Sequence, residues 1–202
     1  MKDKHGVEIA ISTIVTLLIT ILIFSMATYL LFKWFGQARE FETIIDKQTQ
    51  EQIQTALRSG NQLVVIPFSV QTAKRGEMAT FAMGVRNIAL TQKTFSAAIS
   101  FDSAYFPDGK EMTVSKQYIE SHWLGNFKTI KPFALNKNQE NIQPLTIKVD
   151  ANVDTNKPSS TGDYIFDVCI AADTSGPIVC DPSRPLSAFY TERIYQVTVR
   201  VV

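Results

Sequence analysis

The residues with the clearest potential to bind a ligand are three oxygen-bearing side chains at alternate positions. Asp150, Asn152 and Asp154 are spaced like the ligands in the first half of a calcium-binding loop. Such a loop continues with glycine at its sixth position and glutamate at its twelfth, where this chain has Thr155 and Thr161. The pattern is therefore compatible with a Ca²⁺ site on the three side chains or with a polar strand end that enters a turn. No other cofactor is expected.

The second candidate is the pair of cysteines, Cys169 and Cys180. Each lies in a run of β-branched residues, and residues 173–177 between them are Asp-Thr-Ser-Gly-Pro, which favour a turn. A hairpin of this kind brings two thiols close enough to form a disulfide. The alternative is a pair of unpaired buried thiols. A zinc site is not expected, because no histidine or further cysteine lies nearby.

Recognisable catalytic motifs are absent from the sequence. It has no glycine-rich phosphate loop, no G-x-S-x-G elbow and no H-E-x-x-H. Its two histidines are His5, in the N-terminal tail, and His122, in a loop beside Trp123. We therefore expect no enzymatic activity. The net charge of +1, with lysines and arginines scattered among acidic residues, also argues against a nucleic-acid partner.

These candidates follow a long apolar segment near the N-terminus. Residues 9–32 contain no charged side chain, and as a helix they would extend about 36 Å, enough to cross a hydrocarbon core of about 30 Å. Residues 33–59 continue with apolar residues at three- and four-residue spacing, and Gly60 is a typical helix stop. The sequence predicts one helix over residues 7–60, transmembrane over 9–32 and amphipathic over 33–59, with the N-terminus inside the cell.

The rest of the chain, residues 61–202, has the pattern of a β-rich head. Short runs rich in Val, Ile, Phe, Tyr and Thr alternate with turn residues. These runs are residues 63–70, 78–88, 94–106, 144–153, 162–172, 176–180 and 192–202. About seven such strands without a helical pattern between them predict an antiparallel immunoglobulin-like β-sandwich. The predicted fold class is therefore α+β, a long N-terminal helix followed by this sandwich.

A charged leader that ends in glycine, an apolar helix and a β-rich head resemble the plan of type IV pilin-like subunits. Lys4-His5-Gly6 is similar to the leader that a prepilin-type peptidase removes, and Ile11-Ser12-Thr13-Ile14-Val15 is similar to the start of archaellins. The chain thus resembles the archaeal branch of this superfamily, the archaellins and archaeal adhesion pilins. The resemblance implies a short leader over residues 1–6, with cleavage between Gly6 and Val7.

The resemblance also implies a function and a location. The chain would be a structural subunit of an extracellular pilus- or archaellum-like filament, a helical homo-oligomer that polymerises through its apolar helix and exposes the sandwich. Before assembly it would lie in the cell membrane, and its partners would be the peptidase and the assembly machinery. The residues of the assembly helix would be Glu8, Ile9, Ile11, Ile14, Leu17, Leu18, Ile21 and Phe24.

Two other interpretations of the same sequence stay open. One is an uncleaved single-pass protein, whose helix anchors an extracytoplasmic immunoglobulin-like binding domain in the membrane. The other is an extracytoplasmic enzyme with a site that the motifs do not reveal.

Overall fold

The computed structural model describes residues 13–26, 28, 29, 47–60, 62–173, 176 and 178–202. The chain divides into two compact units between Ile44 and Ile45.

In the first unit, residues 13–26 form an α-helix, α1, and residues 28 and 29 are helical as well. The fourteen residues of α1 correspond to about 21 Å of helix axis. Two threonine hydroxyls in this unit bond back to the helix. The Thr20 hydroxyl donates to the Thr16 carbonyl and the Thr28 hydroxyl to the Phe24 carbonyl, both at 2.8 Å.

The predicted fold class, a long N-terminal helix followed by an antiparallel immunoglobulin-like β-sandwich, is wrong in two respects. In the part of the chain that the structure describes, no helix is both long enough and apolar enough to cross a membrane, which contradicts the predicted long N-terminal transmembrane helix. Within the predicted span of 7–60, residues 30–46 lie outside the described residues. Apolar composition by itself does not determine the length of a helix.

The second unit is built mainly from two β-sheets and one helix. The α-helices of this unit are α2 (Lys47–Ser59) and α3 (Lys116–Ile119). The strands are β1 (Val64–Val65), β2 (Val70–Ala73), β3 (Met78–Arg86), β4 (Lys93–Tyr105), β5 (Thr129–Leu135), β6 (Glu140–Lys148), β7 (Asn152–Asp154), β8 (Lys157–Pro158), β9 (Gly162–Ala172) and β10 (Tyr195–Val201). A three-stranded sheet has the order β1-β3-β6 and a five-stranded sheet the order β2-β10-β9-β4-β5.

The second correction concerns strand direction, because β2 pairs with β10 in parallel. The chain leaves β1 at the edge of one sheet, crosses through residues 66–69 and enters β2 at the edge of the other. It crosses between the sheets again on the way from β5 to β6, which are also edge strands. Pro132 and Pro144 lie in these two edge strands, where a missing backbone N–H disrupts no inner ladder.

The two sheets share one hydrophobic core. Side chains of β3 and β6 on one sheet, such as Phe81 and Leu145, are buried in the same cluster as Phe95, Phe166 and Val197 of the other sheet. Alternation along the strands explains this arrangement, because every second residue of a strand points to the same face. The burial of this apolar surface is the main term that stabilises the unit.

Helix α2 covers the outer face of the three-stranded sheet. Ile53 and Leu57 are fully buried there in a small cluster with Val65 and Ala82. The helix ends at Ser59, and the Gly60 N–H donates to the Ala56 carbonyl at 3.0 Å. The outer face of this sheet is therefore partly closed by a helix, which requires a small residue beneath it.

Gly84 of β3 is that small residue. A Cβ atom at this position would lie 2.2 Å from Ile53 Cγ2 and 3.0 Å from Leu57 Cδ1. Arg86 lies two residues further along β3 and also contacts the helix, since its Nη1 donates to the Leu57 carbonyl at 2.8 Å. The glycine thus allows α2 to approach the sheet.

We expect Gly84→Ala to lower the free energy of unfolding by about 1–3 kcal/mol, because α2 must move away from the sheet to accept the methyl group. Urea denaturation of the full chain measures this difference. Gly176→Ala is the matched control, since nothing lies within 4 Å of a Cβ at Gly176. Equal stability of the two variants would contradict the docking of α2 on Gly84.

Candidate functional site

The apolar surface of α1 is the most exposed apolar region in the described part of the chain. Five of the residues implied for assembly lie in it, and they are 55–72% exposed: Ile14, Leu17, Leu18, Ile21 and Phe24. The remaining assembly and cleavage residues, Gly6, Val7, Glu8, Ile9 and Ile11, lie outside the described residues.

Apolar residues occur on every side of α1. Further exposed side chains lie between those of the predicted stripe: Val15, Ile19, Leu22, Ile23 and Met26. The threonine hydroxyls near them bond to the helix backbone, so they offer little polarity to a neighbour. A helix that is apolar all round is stable only when it is buried on several sides. The arrangement fits a bundle or an apolar medium better than a two-helix contact.

The two cysteines hold a segment against the outer face of the five-stranded sheet. Cys169 of β9 and Cys180 form a disulfide across 11 positions of sequence, as the sequence predicted. Around it, Ala98, Ala171 and Phe189 form a small buried cluster. Further along the segment, the Tyr190 hydroxyl donates to the Arg86 carbonyl at 2.8 Å. The disulfide thus adds a covalent link to a segment that also packs on the sheet through Phe189 and Tyr190.

The three candidate calcium ligands lie near the small β7–β8 hairpin. One Asp150 oxygen accepts the Asn152 N–H at 3.1 Å, and one Asp154 oxygen accepts the Thr155 N–H at 2.7 Å. The two carboxylates therefore support turns of the backbone. No group of three or more His, Cys, Asp or Glu side chains that could hold a metal ion occurs among the residues described here. The Ca²⁺ site stays a prediction.

The region around His122 has a structural role in this fold. The His122 ring stacks on Tyr118 at 3.9 Å between ring centroids and is exposed. Its neighbour Trp123 is fully buried, packs on Tyr164 at 4.6 Å and donates its indole N–H to the Asn152 carbonyl at 2.8 Å. The Tyr164 hydroxyl in turn donates to the Ser160 carbonyl at 3.0 Å. This group closes one part of the core.

A buried carboxyl lies on the outer face of the five-stranded sheet. Asp167 of β9 is 3% exposed, and Gln196 of the adjacent strand donates to its Oδ1 at 3.0 Å. Burial raises the pKa of Asp167, and the nearby carboxylate of Asp102 raises it further. By contrast, the Arg200 guanidinium bonded to Asp163 lowers the pKa of that carboxyl. The pKa values of the two aspartates of β9 are thus shifted in opposite directions, that of Asp167 upward and that of Asp163 downward.

Among the clefts of the second unit, two lie beside β10. One, of about 560 Å³, lies at the end of β10 and is lined by Pro107, Thr161, Gly162, Asp163, Arg200, Val201 and Val202. The other, of about 380 Å³, separates β1 from the start of β10 and is lined by Gln62, Leu63, Val64, Thr191, Arg193 and Tyr195. The sequence predicted neither cleft, because each is formed by residues that are far apart along the chain.

Comparisons with known proteins give fold-level likeness only. No protein-family model matches the chain, and no curated protein matches it significantly. Among solved structures, it is similar to the ASH/PapD-like domain of human CEP192, with 12% identity and a TM-score of 0.34 over 69% of this chain and 85% of that chain. It is also similar to the class 5 fimbriae chaperone CfaA, with 10% identity and a TM-score of 0.33 over 68% of this chain and 55% of that one.

A third similar structure is a family 123 glycoside hydrolase from Clostridium perfringens, with 10% identity and a TM-score of 0.38 over 74% of this chain. The match spans 25% of the hydrolase chain. The expected transmembrane helix is corrected by the structure itself, since no helix in its described part is long and apolar enough to cross a membrane, whereas the pilin-like resemblance stays a prediction. With TM-scores below 0.5, these likenesses carry no argument about function.

The disulfide generates a stability prediction. The Cys169→Ala/Cys180→Ala double variant should lose about 3 kcal/mol of unfolding free energy, because the unfolded chain regains the entropy of the open loop. Urea denaturation under oxidising conditions measures this loss. Adding dithiothreitol should destabilise the unmodified protein to a similar degree and leave the variant unchanged. A variant as stable as the oxidised protein would contradict this role of the bond.

Asp167 generates a pH-dependence prediction. Because its folded-state pKa is raised above the unfolded value of about 4, the folded protein binds more protons than the unfolded chain between these two values. The free energy of unfolding should therefore rise as the pH falls through this window, and Asp167→Asn should remove that rise.

Asp163→Asn is the matched control, because the pKa of Asp163 is lowered and its contribution is lost as the pH falls. Urea denaturation between neutral and acidic pH measures both effects. Compared with the unmodified protein, Asp167→Asn should lack a gain of unfolding free energy as the pH falls, and Asp163→Asn should lack a loss. The same pH profile for Asp167→Asn and the unmodified protein would show that the carboxyl is not held at a raised pKa.

Proposed function

We propose that the protein is a structural subunit of an extracellular filament, in which copies of α1 pack against one another and the β-rich unit is exposed. The single observation that supports this function most strongly is the apolar surface on every side of α1. Side chains such as Leu17 and Leu22 lie on different faces of the helix and are 57% and 70% exposed. Packing between several copies would remove these faces from water together.

The contrast between the two units supports the same proposal. The β-rich unit buries many of its large apolar side chains between its own sheets, as Phe81 and Phe166 illustrate. In α1, by contrast, the side chains of Ile14 to Phe24 stay accessible to solvent. An open, repeating contact between identical helices produces a helical polymer rather than a closed ring.

The disulfide supports a location outside the cytoplasm. Disulfides such as Cys169–Cys180 persist in oxidising compartments and are rare where glutathione and thioredoxin keep thiols reduced. A structural role also fits the environment of His122, whose ring stacks on Tyr118 and bonds to the backbone. We therefore propose a structural rather than a catalytic function.

Substitutions in α1 test the filament. Leu17→Gln and Leu22→Gln should each raise the critical concentration for assembly about 30-fold, because each subunit loses about 2 kcal/mol of apolar burial. Sedimentation and negative-stain electron microscopy of the full chain over a concentration series measure this change. The β-rich unit should remain folded, since neither residue belongs to it.

Leu90→Gln is the matched control, because Leu90 is 81% exposed but lies in the β-rich unit. It should assemble like the unmodified protein. Unchanged assembly of both helix variants would overturn the proposal. So would a chain that stays monomeric at all concentrations but binds phospholipid vesicles, which would favour the membrane-anchored alternative.

A further inference from the structure

One wall of the smaller cleft is the start of β10. On one side, β10 pairs with β9 from Tyr195 onward. On its other side, β10 pairs with β2 only from Thr198 onward, so residues 195–197 have no described strand beside them there. The Thr198 N–H points to that side, since it donates to the Ser69 carbonyl at 2.7 Å. Because backbone groups alternate along a strand, the N–H and C=O of Gln196 point to the same side. There they lie beyond the end of β2.

The opposite wall is β1. The Arg86 N–H donates to the Leu63 carbonyl at 2.9 Å, so Leu63 and Arg86 form a hydrogen-bonded pair. Val64, the next residue, faces Val85 in the non-hydrogen-bonded position of the ladder. The N–H and C=O of Val64 therefore point away from β3 and toward the side where the cleft lies.

The cleft between these walls offers backbone groups in strand geometry. Within the described part of the chain, no hydrogen-bond partner is recorded for the backbone of Val64 or Gln196. Val64 lines the cleft of about 380 Å³, and so does Tyr195, the residue before Gln196; this volume is within the range of ligand pockets. The Tyr195 hydroxyl is already bonded to Thr191 at 3.0 Å.

We propose that this cleft binds an extended peptide segment of a protein partner, which adds a strand between β1 and β10. Its backbone pairs with Val64 on one side and with Gln196 on the other. Such strand addition obtains affinity from backbone hydrogen bonds and specificity from side chains at alternate positions. The proposal does not depend on the filament, because it concerns the β-rich unit alone.

The charge at the rim defines the chemistry of the partner. Arg193 lines the cleft and is exposed, and no carboxylate of the described residues forms an ion pair with it. A glutamate or aspartate side chain of the bound peptide would meet this guanidinium. The expected ligand is therefore an extended peptide with alternating β-branched and acidic residues.

Fluorescence anisotropy with a labelled peptide of sequence TVEVEVT tests the proposal on the full chain. This peptide should bind at least about tenfold more tightly than the same peptide with alternate backbone amides methylated, and more tightly than TVKVKVT. Arg193→Glu should weaken binding of TVEVEVT about tenfold and favour TVKVKVT instead. Arg184→Glu, at another exposed arginine, should leave both affinities unchanged.

Amide hydrogen exchange provides the second readout. The amides of Val64 and Gln196 should exchange rapidly in the free protein, although both lie in strands, and at least about tenfold more slowly with TVEVEVT bound. The amide of Val85, which faces β6, should not change. Absence of binding up to about 1 mM peptide, equal binding of the methylated peptide, or protection of both amides before peptide is added would overturn the proposal.

Discussion

The β-rich unit depends on one constraint, the burial of apolar side chains between two sheets. A single core joins Phe81 of one sheet to Phe166 of the other. The chain crosses between the edges of the two sheets from β1 to β2 and from β5 to β6. The parallel pairing of β2 with β10 is a consequence of the first crossing.

The same constraint explains the elements around the core. Helix α2 can lie on the three-stranded sheet because Gly84 leaves room for Ile53 and Leu57. On the other sheet, the segment after β9 is secured by the disulfide between Cys169 and Cys180. Each cover buries a small apolar cluster of its own. The outer faces of both sheets are thus partly protected by different means, a packed helix and a covalent bond.

Two surfaces of the chain carry groups that have no partner within their own unit, and these surfaces indicate where the protein would interact. In α1 the unsatisfied surface is apolar and surrounds the helix, which suits association by hydrophobic burial. In the cleft between β1 and β10 it consists of the backbone groups of Val64 and Gln196, which suit directional hydrogen bonds. The first surface is unselective and the second is specific, so the two are suited to different kinds of partner.

Local features of the chain could be predicted from the sequence alone. The residues of most strands, the helix end at Gly60 and the disulfide pair follow from short-range propensity, and the structure contains them. The tertiary structure decided the strand order, the burial of Asp167 and the cleft beside Arg193. The reason is physical, because propensity acts over a few residues, whereas pairing and burial join residues such as Val70 and Thr198 that are remote in sequence.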